Sequence, residues 1–417
     1  MSWRHCATIP LTLCLVSAAA FAANEEVSEL APVEVSAPGI SRSELNTPAA
    51  VDVVNAEELQ RARQRLALDE ALNRVPGLFF QNRYNFAQNL RLSIRGFGAR
   101  APFGVRGIRL RVDGIPETLP DGQSQVDTID LETAERVEVL RGPSSALYGN
   151  AAGGVLSVET RSAPTRPYVQ GRLSGGSYGF RRAGVMGGHQ YGPWNAHVSA
   201  WHMNYDGYRD QSETEKMMFN TRVRHDFGAG RELTTVFTAY DQPRGEDPGG
   251  LTRAEADENR EQAAPFAGQL DTHQSVRQQR IGWIYRDTET LPGEMKLTAF
   301  YTHRDFQQQL PFPGPSRLGY DRAFFGASAE YRDDTRLGNM PVDWILGTAF
   351  RQQRDDRERF LVDANGNRGA QVQDALEKGT SSALYGQAEI LPMEELSIRL
   401  GGRYDHVKLA IDDRRGQ

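Results

Sequence analysis

The side chains best equipped for chemistry sit in three short segments punctuated by glycine and proline: Gln81 to Asn89, Phe97 to Arg106 and Glu117 to Ser124. They carry Arg83, Tyr84, Arg100, Phe103, Arg106 and Gln123. Guanidinium groups grip carboxylates through paired hydrogen bonds, and aromatic rings offer flat stacking faces. Such a set suits recognition of an anionic chelate or a quinone acid. The competing role for each of these residues is to tie one part of the fold to another.

No catalytic constellation accompanies them, so the reading is of a protein that is not an enzyme. Gly96-Phe-Gly98-Ala-Arg-Ala101 matches the G-x-G-x-x-A dinucleotide fingerprint, yet Pro102 and Gly104 deny it the helix that must hold the pyrophosphate. Gly175-Gly-Ser177-Tyr-Gly179 matches the G-x-S-x-G nucleophile elbow, but β-prone runs flank it on both sides, which makes it a hairpin tip. The eight histidines, His202, His273 and His303 among them, fall into no metal-ligand spacing. Cys6 and Cys14 both lie in the first 22 residues, leaving no thiol framework beyond them. Neither a metal site nor a cofactor is expected, and a net charge of −6 offers no footprint for nucleic acid.

The elements that must position those loops begin with a secretory signature. Arg4 and His5 precede an apolar run from Leu11 to Phe21, and Ala20-Phe21-Ala22 reads as a cleavage site, so residues 1–22 read as a signal peptide. Residues 23–46 form an acidic, proline-dotted leader holding the β-prone piece Val33, Glu34, Val35, Ser36 and Ala37. Residues 47–163 read as a compact α+β domain. In it Val51 to Val54 is a strand, Asn55 caps a helix with Glu58 as capping-box partner, and Leu66 to Asn73 continues helically. Strands follow at Leu90 to Arg95 and Ile108 to Val112, with Asp113-Gly114 as a turn.

The densest segment is Ile129 to Val158. Arg136 to Leu140 is a strand stopped by Gly142-Pro143, and Ser144 caps one helical turn that Gly149 closes. A second strand runs from Val155 to Thr160. Small residues at this density let backbone pack on backbone.

From residue 164 to 417 the texture is of β-strands, at 168–174, 180–188, 195–205, 217–226, 231–241, 275–286, 294–303, 322–332, 341–350, 381–390 and 396–406. Links at one end are short. At the other most are long and polar: 206–216, 242–274, 304–321 and 351–380. Loops sorted by side, and strands of roughly 10 residues, characterise transmembrane β-barrels. Leu396, Ile398, Leu400 and Tyr404 alternate with Ser397, Arg399, Arg403 and Asp405, as lipid-facing and lumen-facing rows should. Tyr168, Trp194, Tyr205, Tyr285, Tyr331 and Trp344 fall near strand ends, where aromatic girdles sit.

Ser93-Ile-Arg-Gly-Phe-Gly98, Leu110-Arg-Val-Asp-Gly-Ile-Pro116 and Arg141-Gly-Pro through Gly154 stand in the order and spacing of the plug of TonB-dependent outer-membrane receptors, which the chain resembles. Residues 99–123 look closest to a subgroup containing the pyrroloquinoline quinone transporter, with ferric-citrate and siderophore receptors as broader neighbours. The resemblance implies an α+β plug inside an antiparallel transmembrane β-barrel, of which eleven strands, about half of the roughly 22 in plugged transporters, are expected here. The stop at Arg-Arg-Gly-Gln then reads as a truncated barrel. It also implies an outer-membrane location in a Gram-negative bacterium, contact with outer-membrane lipid, a small-molecule ligand, and energy from TonB of the TonB–ExbB–ExbD complex. Val33 to Ala37 stand where the TonB box would be. Glu138 and Arg141 are assigned to locking plug to barrel. The implied activity is import of a scarce, large, anionic nutrient; a surface receptor or adhesin exploited by phage or bacteriocins is the alternative.

Overall fold

The computed structural model describes residues 34–35, 42–43 and 50–415, apart from 62, 89, 143, 394 and 395. The expected signal peptide lies outside these residues, as do Val33, Ser36 and Ala37. Glu34 and Val35 form a short strand, β1 (Glu34–Val35), antiparallel to β2 (Arg42–Ser43).

The first body is a five-stranded sheet with short helices. Its elements in chain order are β3 (Ala50–Asn55), α1 (Ala56–Gln60), α2 (Asp69–Leu72), β4 (Leu78–Gln81), β5 (Arg91–Ile94), β6 (Val105–Arg106), β7 (Ile108–Val112), β8 (Ile115–Pro116), β9 (Gln123–Ser124), β10 (Ala134–Arg141), α3 (Ser145–Tyr148) and β11 (Gly154–Thr160). The sheet order is β3-β10-β11-β7-β8, and β11 runs parallel to β7 while its other pairings are antiparallel. Leu59, Leu72, Ile94, Leu110, Val139 and Leu156 are fully buried in one core. Each such side chain contributes on the order of 2 kcal/mol.

Local chemistry explains the joints. The Asn55 side chain and Glu58 form the expected capping box of α1. The helical reading of 66–73 shrinks to α2 because Arg65 takes a positive φ of 62°. The Glu70 carboxylate then collects the free N–H groups of Arg65, Leu66 and Ala67. Ser144 does not cap α3: its hydroxyl turns back to the Gly142 carbonyl at 3.4 Å. Gly154 sits opposite Arg141 with a φ of 137°, and a Cβ there would overlap the Leu140 carbonyl. Backbone does pack on backbone in this segment.

The second body is one antiparallel meander of eleven strands. They are β12 (Tyr168–Gly175), β13 (Arg181–Tyr191), β14 (Trp194–Tyr205), β15 (Thr214–Gly228), β16 (Arg231–Glu246), β17 (His273–Asp287), β18 (Glu294–Gln309), β19 (Gly314–Leu337), β20 (Met340–Val362), β21 (Arg368–Met393) and β22 (Leu396–Asp413). Its inner face wraps the plug sheet. In β18, Thr298, Phe300, Thr302, Arg304 and Phe306 are buried while Leu297 and Tyr301 are exposed, so the expected two-row alternation holds. No helix among the described residues is long and apolar enough to cross a membrane, which says nothing about strands.

Two expected loops are strand instead. Most of 304–321 belongs to β18 and β19, and most of 351–380 to β20 and β21. These stretches are too polar to read as membrane strand, yet opposite charges pair across neighbouring strands, as in Arg322–Asp355 and Arg357–Glu377. The substantial link that remains is 247–272, which carries α4 (Arg253–Glu258) and α5 (Pro265–Gln269). Among the supposed girdle residues, Tyr205 turns inward and is buried with Phe86 and Phe180.

Candidate functional site

The plug loop 82–88 is pinned beneath the long-loop end of the barrel. The Phe86 carbonyl accepts from Gln242 Nε2 and Gln274 Nε2, both at 3.0 Å, and the Ala87 carbonyl from Gln308 Nε2 at 3.0 Å. Asn85 and Gln88 donate to the Asp247 carboxylate at 3.0 and 2.8 Å. Arg83 is thereby displayed but not idle, since its Nε donates to Asp69. Burial opposes the guanidinium charge, but that hydrogen bond prevails and raises the Arg83 pKa. Tyr84 is half exposed, bonded to Gln64 at 3.1 Å.

The neighbouring loops are joined by the β6–β9 pair, in which Arg106 faces Gln123. Arg106 Nη1 donates to the Asp121 carbonyl at 3.0 Å. Arg100 and Phe103 are exposed, and so is Phe97, a residue the sequence reading did not single out. Gln123 departs from expectation: it is buried against Gly104, where an added Cβ would come within 2.9 Å of its Nε2. Its amide supports the loop rather than standing on its surface.

The sequence reading also missed the wall. Phe306 and Tyr320 stack with centroids 4.9 Å apart, and the Arg322 guanidinium lies 4.4 Å over Tyr320 while gripping Asp355 at 2.7 and 2.6 Å. Phe306, Tyr320 and Asp355 fell inside supposed loops; carrying the two-residue period through them would have placed them in the lumen beside Arg322.

The plug is fastened to the wall by polar groups. Glu132 receives Arg172 at 3.2 Å and Arg182 at 3.5 Å from the barrel, and Arg65 at 2.6 Å from the plug itself. Asp130 accepts from Trp201 at 3.1 Å and Asn220 at 2.8 Å. Arg280 pairs with Glu117, and Arg222 donates to the Thr160 carbonyl at 2.9 Å. Of the two residues assigned to the lock from sequence, Arg141 makes its contacts inside the plug, binding Asp52 at 2.7 Å and the Pro76 carbonyl at 3.1 Å. Glu138 is fully buried in the plug sheet beside Arg136, 3.1 Å away. Both residues sit on β10, which lies between β3 and β11 in the plug sheet.

The sequence family described as TonB-dependent Receptor Plug Domain matches residues 43–155, and the family described as TonB dependent receptor-like, beta-barrel matches residues 219–417. The chain belongs to the TonB-dependent receptors. It is 34% identical over 161 residues to a hemin receptor of Yersinia enterocolitica, covering 38% of this chain and 22% of the relative. It is 33% identical over 180 residues to a vitamin B12 transporter of Photobacterium profundum, covering 42% and 28%. The unliganded ferric citrate transporter FecA superposes with a TM-score of 0.76 at 19% identity, over 88% of this chain and 57% of that one. The ferric yersiniabactin uptake receptor FyuA of Yersinia pestis gives 0.71 at 19% identity, over 88% and 60%. The chain thus spans under a third of these curated relatives' lengths and over half of these solved chains. TonB-dependent receptors are outer-membrane β-barrel proteins of Gram-negative bacteria that bind ligands and TonB, and they are not enzymes. Among the described residues no cluster of His, Cys, Asp and Glu could hold a metal ion.

Proposed function

We propose that this receptor imports a scarce, large, anionic compound across the outer membrane, either a ferric chelate or a pyrroloquinoline quinone-like acid, with TonB supplying the energy. One observation carries the reading: Arg100, Phe103, Phe97 and Tyr84 all stand exposed on the plug's loops, while the plug itself is fastened to the wall by polar contacts. Rings that stack and cations that pair suit a planar, acidic ligand. Polar contacts, unlike an apolar seal, can be exchanged for water when the plug is pulled. Relatives named for hemin, vitamin B12 and ferric enterobactin support the class and leave the cargo open.

Tryptophan quenching during titration with pyrroloquinoline quinone, ferric citrate and ferric siderophores tests the reading. Saturation near nanomolar, about −12 kcal/mol, by one of them is expected. Failure of all of them in a protein that folds would count against it. Deleting Val33 to Ala37 separates import from display, because only uptake should need the box, while a surface receptor for phage or bacteriocins would work without it. A solved neighbour is a receptor in complex with pyocin S2, which supports keeping that second reading in the test.

A further inference from the structure

Between plug strand β7 and wall strands β18 to β22 lies a cavity of about 60 Å³, whose charged lining is four arginines, Arg109, Arg111, Arg351 and Arg403, against one carboxylate, Glu330. Its charges do not balance. Arg403 is met by Asp405 at 2.7 and 2.9 Å, and Glu330 is engaged by Lys296 at 3.7 Å, by the Tyr385 hydroxyl at 2.7 Å and by the charge of Arg111. Arg109 is only 8% exposed, and among the described residues no carboxylate or carbonyl accepts from its guanidinium. Arg351, 6% exposed, donates from Nη2 to Ser381 Oγ at 3.3 Å, and its buried Nη1 meets no acceptor.

A buried guanidinium without a counter-charge is strongly unfavourable, and a carboxylate or oxyanion relieves it through charge-assisted hydrogen bonds. Burial drives the Arg109 pKa well below its ordinary value, and Arg351, Arg111 and Arg403 push it the same way, with Asp405 opposing them more weakly. The cavity has room for a group of a few heavy atoms and not for a whole chelate.

We propose that Arg109 and Arg351 are the two prongs of an internal anion site, completed by Arg111 and Arg403, that takes a small oxyanion or carboxylate group within the lumen. It is separate from the exposed plug loops and does not depend on what they bind. The occupant is a free anion or a carboxylate arm of a passing ligand, and the chemistry of recognition is the same for both.

The test is thermal unfolding of the whole purified protein in detergent, in zwitterionic buffer without added anions, against inorganic phosphate in one series and malonate in another. Either anion should raise the plug transition saturably in the wild type. A response to both points to a free anion, and a response to malonate alone to a carboxylate arm. Arg109→Gln and Arg351→Gln should abolish the response and, in anion-free buffer, melt no lower than wild type, because each removes an uncompensated buried charge. Arg109→Lys should retain a weaker response. No saturable shift in the wild type with either anion, an equal shift in the glutamine variants, or anion-free melting of Arg109→Gln below wild type would overturn the proposal.

Discussion

Arg304 of the barrel wall grips Asp127 of the plug with both Nη atoms, at 2.6 and 3.3 Å, and both side chains are almost entirely buried. Gln278 completes the arrangement by accepting from Arg304 Nη1 at 2.9 Å. With Arg280–Glu117 and the arginines around Glu132, this pair shows the plug moored by charge at separate points of the wall. An apolar patch at Ile115 and Leu119 accompanies them.

Asp127→Asn should therefore loosen the plug without unfolding the barrel. Removing one partner of a buried ion pair strands the other, at a cost of about 3 kcal/mol. Hydrogen exchange of the backbone around Asp127 should accelerate by about two orders of magnitude while β19 to β21 stay protected. Unchanged exchange would mean that the pair contributes nothing to mooring.

Glu132→Gln removes the one carboxylate shared by Arg65, Arg172 and Arg182. Because all three guanidiniums lose the same partner, the effect should exceed that of Arg172→Gln, whose side chain is a third exposed. Combining Glu132→Gln with Arg182→Gln should be milder than the sum of the two, since each relieves a charge the other strands. Urea unfolding of the four proteins provides the comparison.

Gly154→Ala should prevent the plug from closing. The new methyl would meet the Leu140 carbonyl at a φ of 137°, so both sterics and backbone conformation oppose it. Gly171→Ala, where nothing lies within 4 Å and φ is ordinary, should change stability by under about 0.5 kcal/mol. Circular dichroism melting of the pair distinguishes a specific backbone requirement from general sensitivity to added bulk.

These contrasts also mark where the sequence could be read and where it could not. Ile108–Val112 and the capping box at Asn55 are local features, and the structure has them where propensity and pattern put them. All eleven strands are likewise present, because a period of two survives any environment that has an inside and an outside. Strands β19 to β21 run far past their expected ends because hydropathy stops reporting once both faces are polar, although Arg322–Asp355 still pairs. The displacement of Arg141 from wall to plug, and of Gln123 from surface to interior, depended on which strand lies beside which. A single chain of letters does not carry that information.

Loop 247–272 is tethered by acid-dependent contacts. The Arg244 hydrogen bond lowers the Asp271 pKa from 3.8, with His273 adding to it. A lowered pKa gives stabilisation that is present above the unfolded value and lost as pH falls through the folded one. Hydrogen exchange over residues 247–272, corrected for the intrinsic pH dependence of amide exchange, should thus be constant from pH 8 to about pH 5 and quicken only below about pH 4. Loosening already above about pH 5 would mean that this contact does not hold the loop.

Arg83 and Arg100 give the sharpest separation of binding from structure. Arg83 is bonded to Asp69, a nearly buried carboxylate, whereas Arg100 is exposed and makes no side-chain bond among the described residues. Arg83→Ala should lower plug stability by about 1 kcal/mol, the typical worth of a hydrogen bond to a charged group that stays partly exposed. Arg100→Ala should leave the melting temperature unchanged and weaken the anionic ligand about tenfold, equivalent to about 1.4 kcal/mol. Phe103→Ala should behave like Arg100→Ala if stacking contributes. If Arg83→Ala alone weakens the ligand, recognition lies at the 82–88 loop and the 97–106 loop is scaffold, which reverses the roles assigned here.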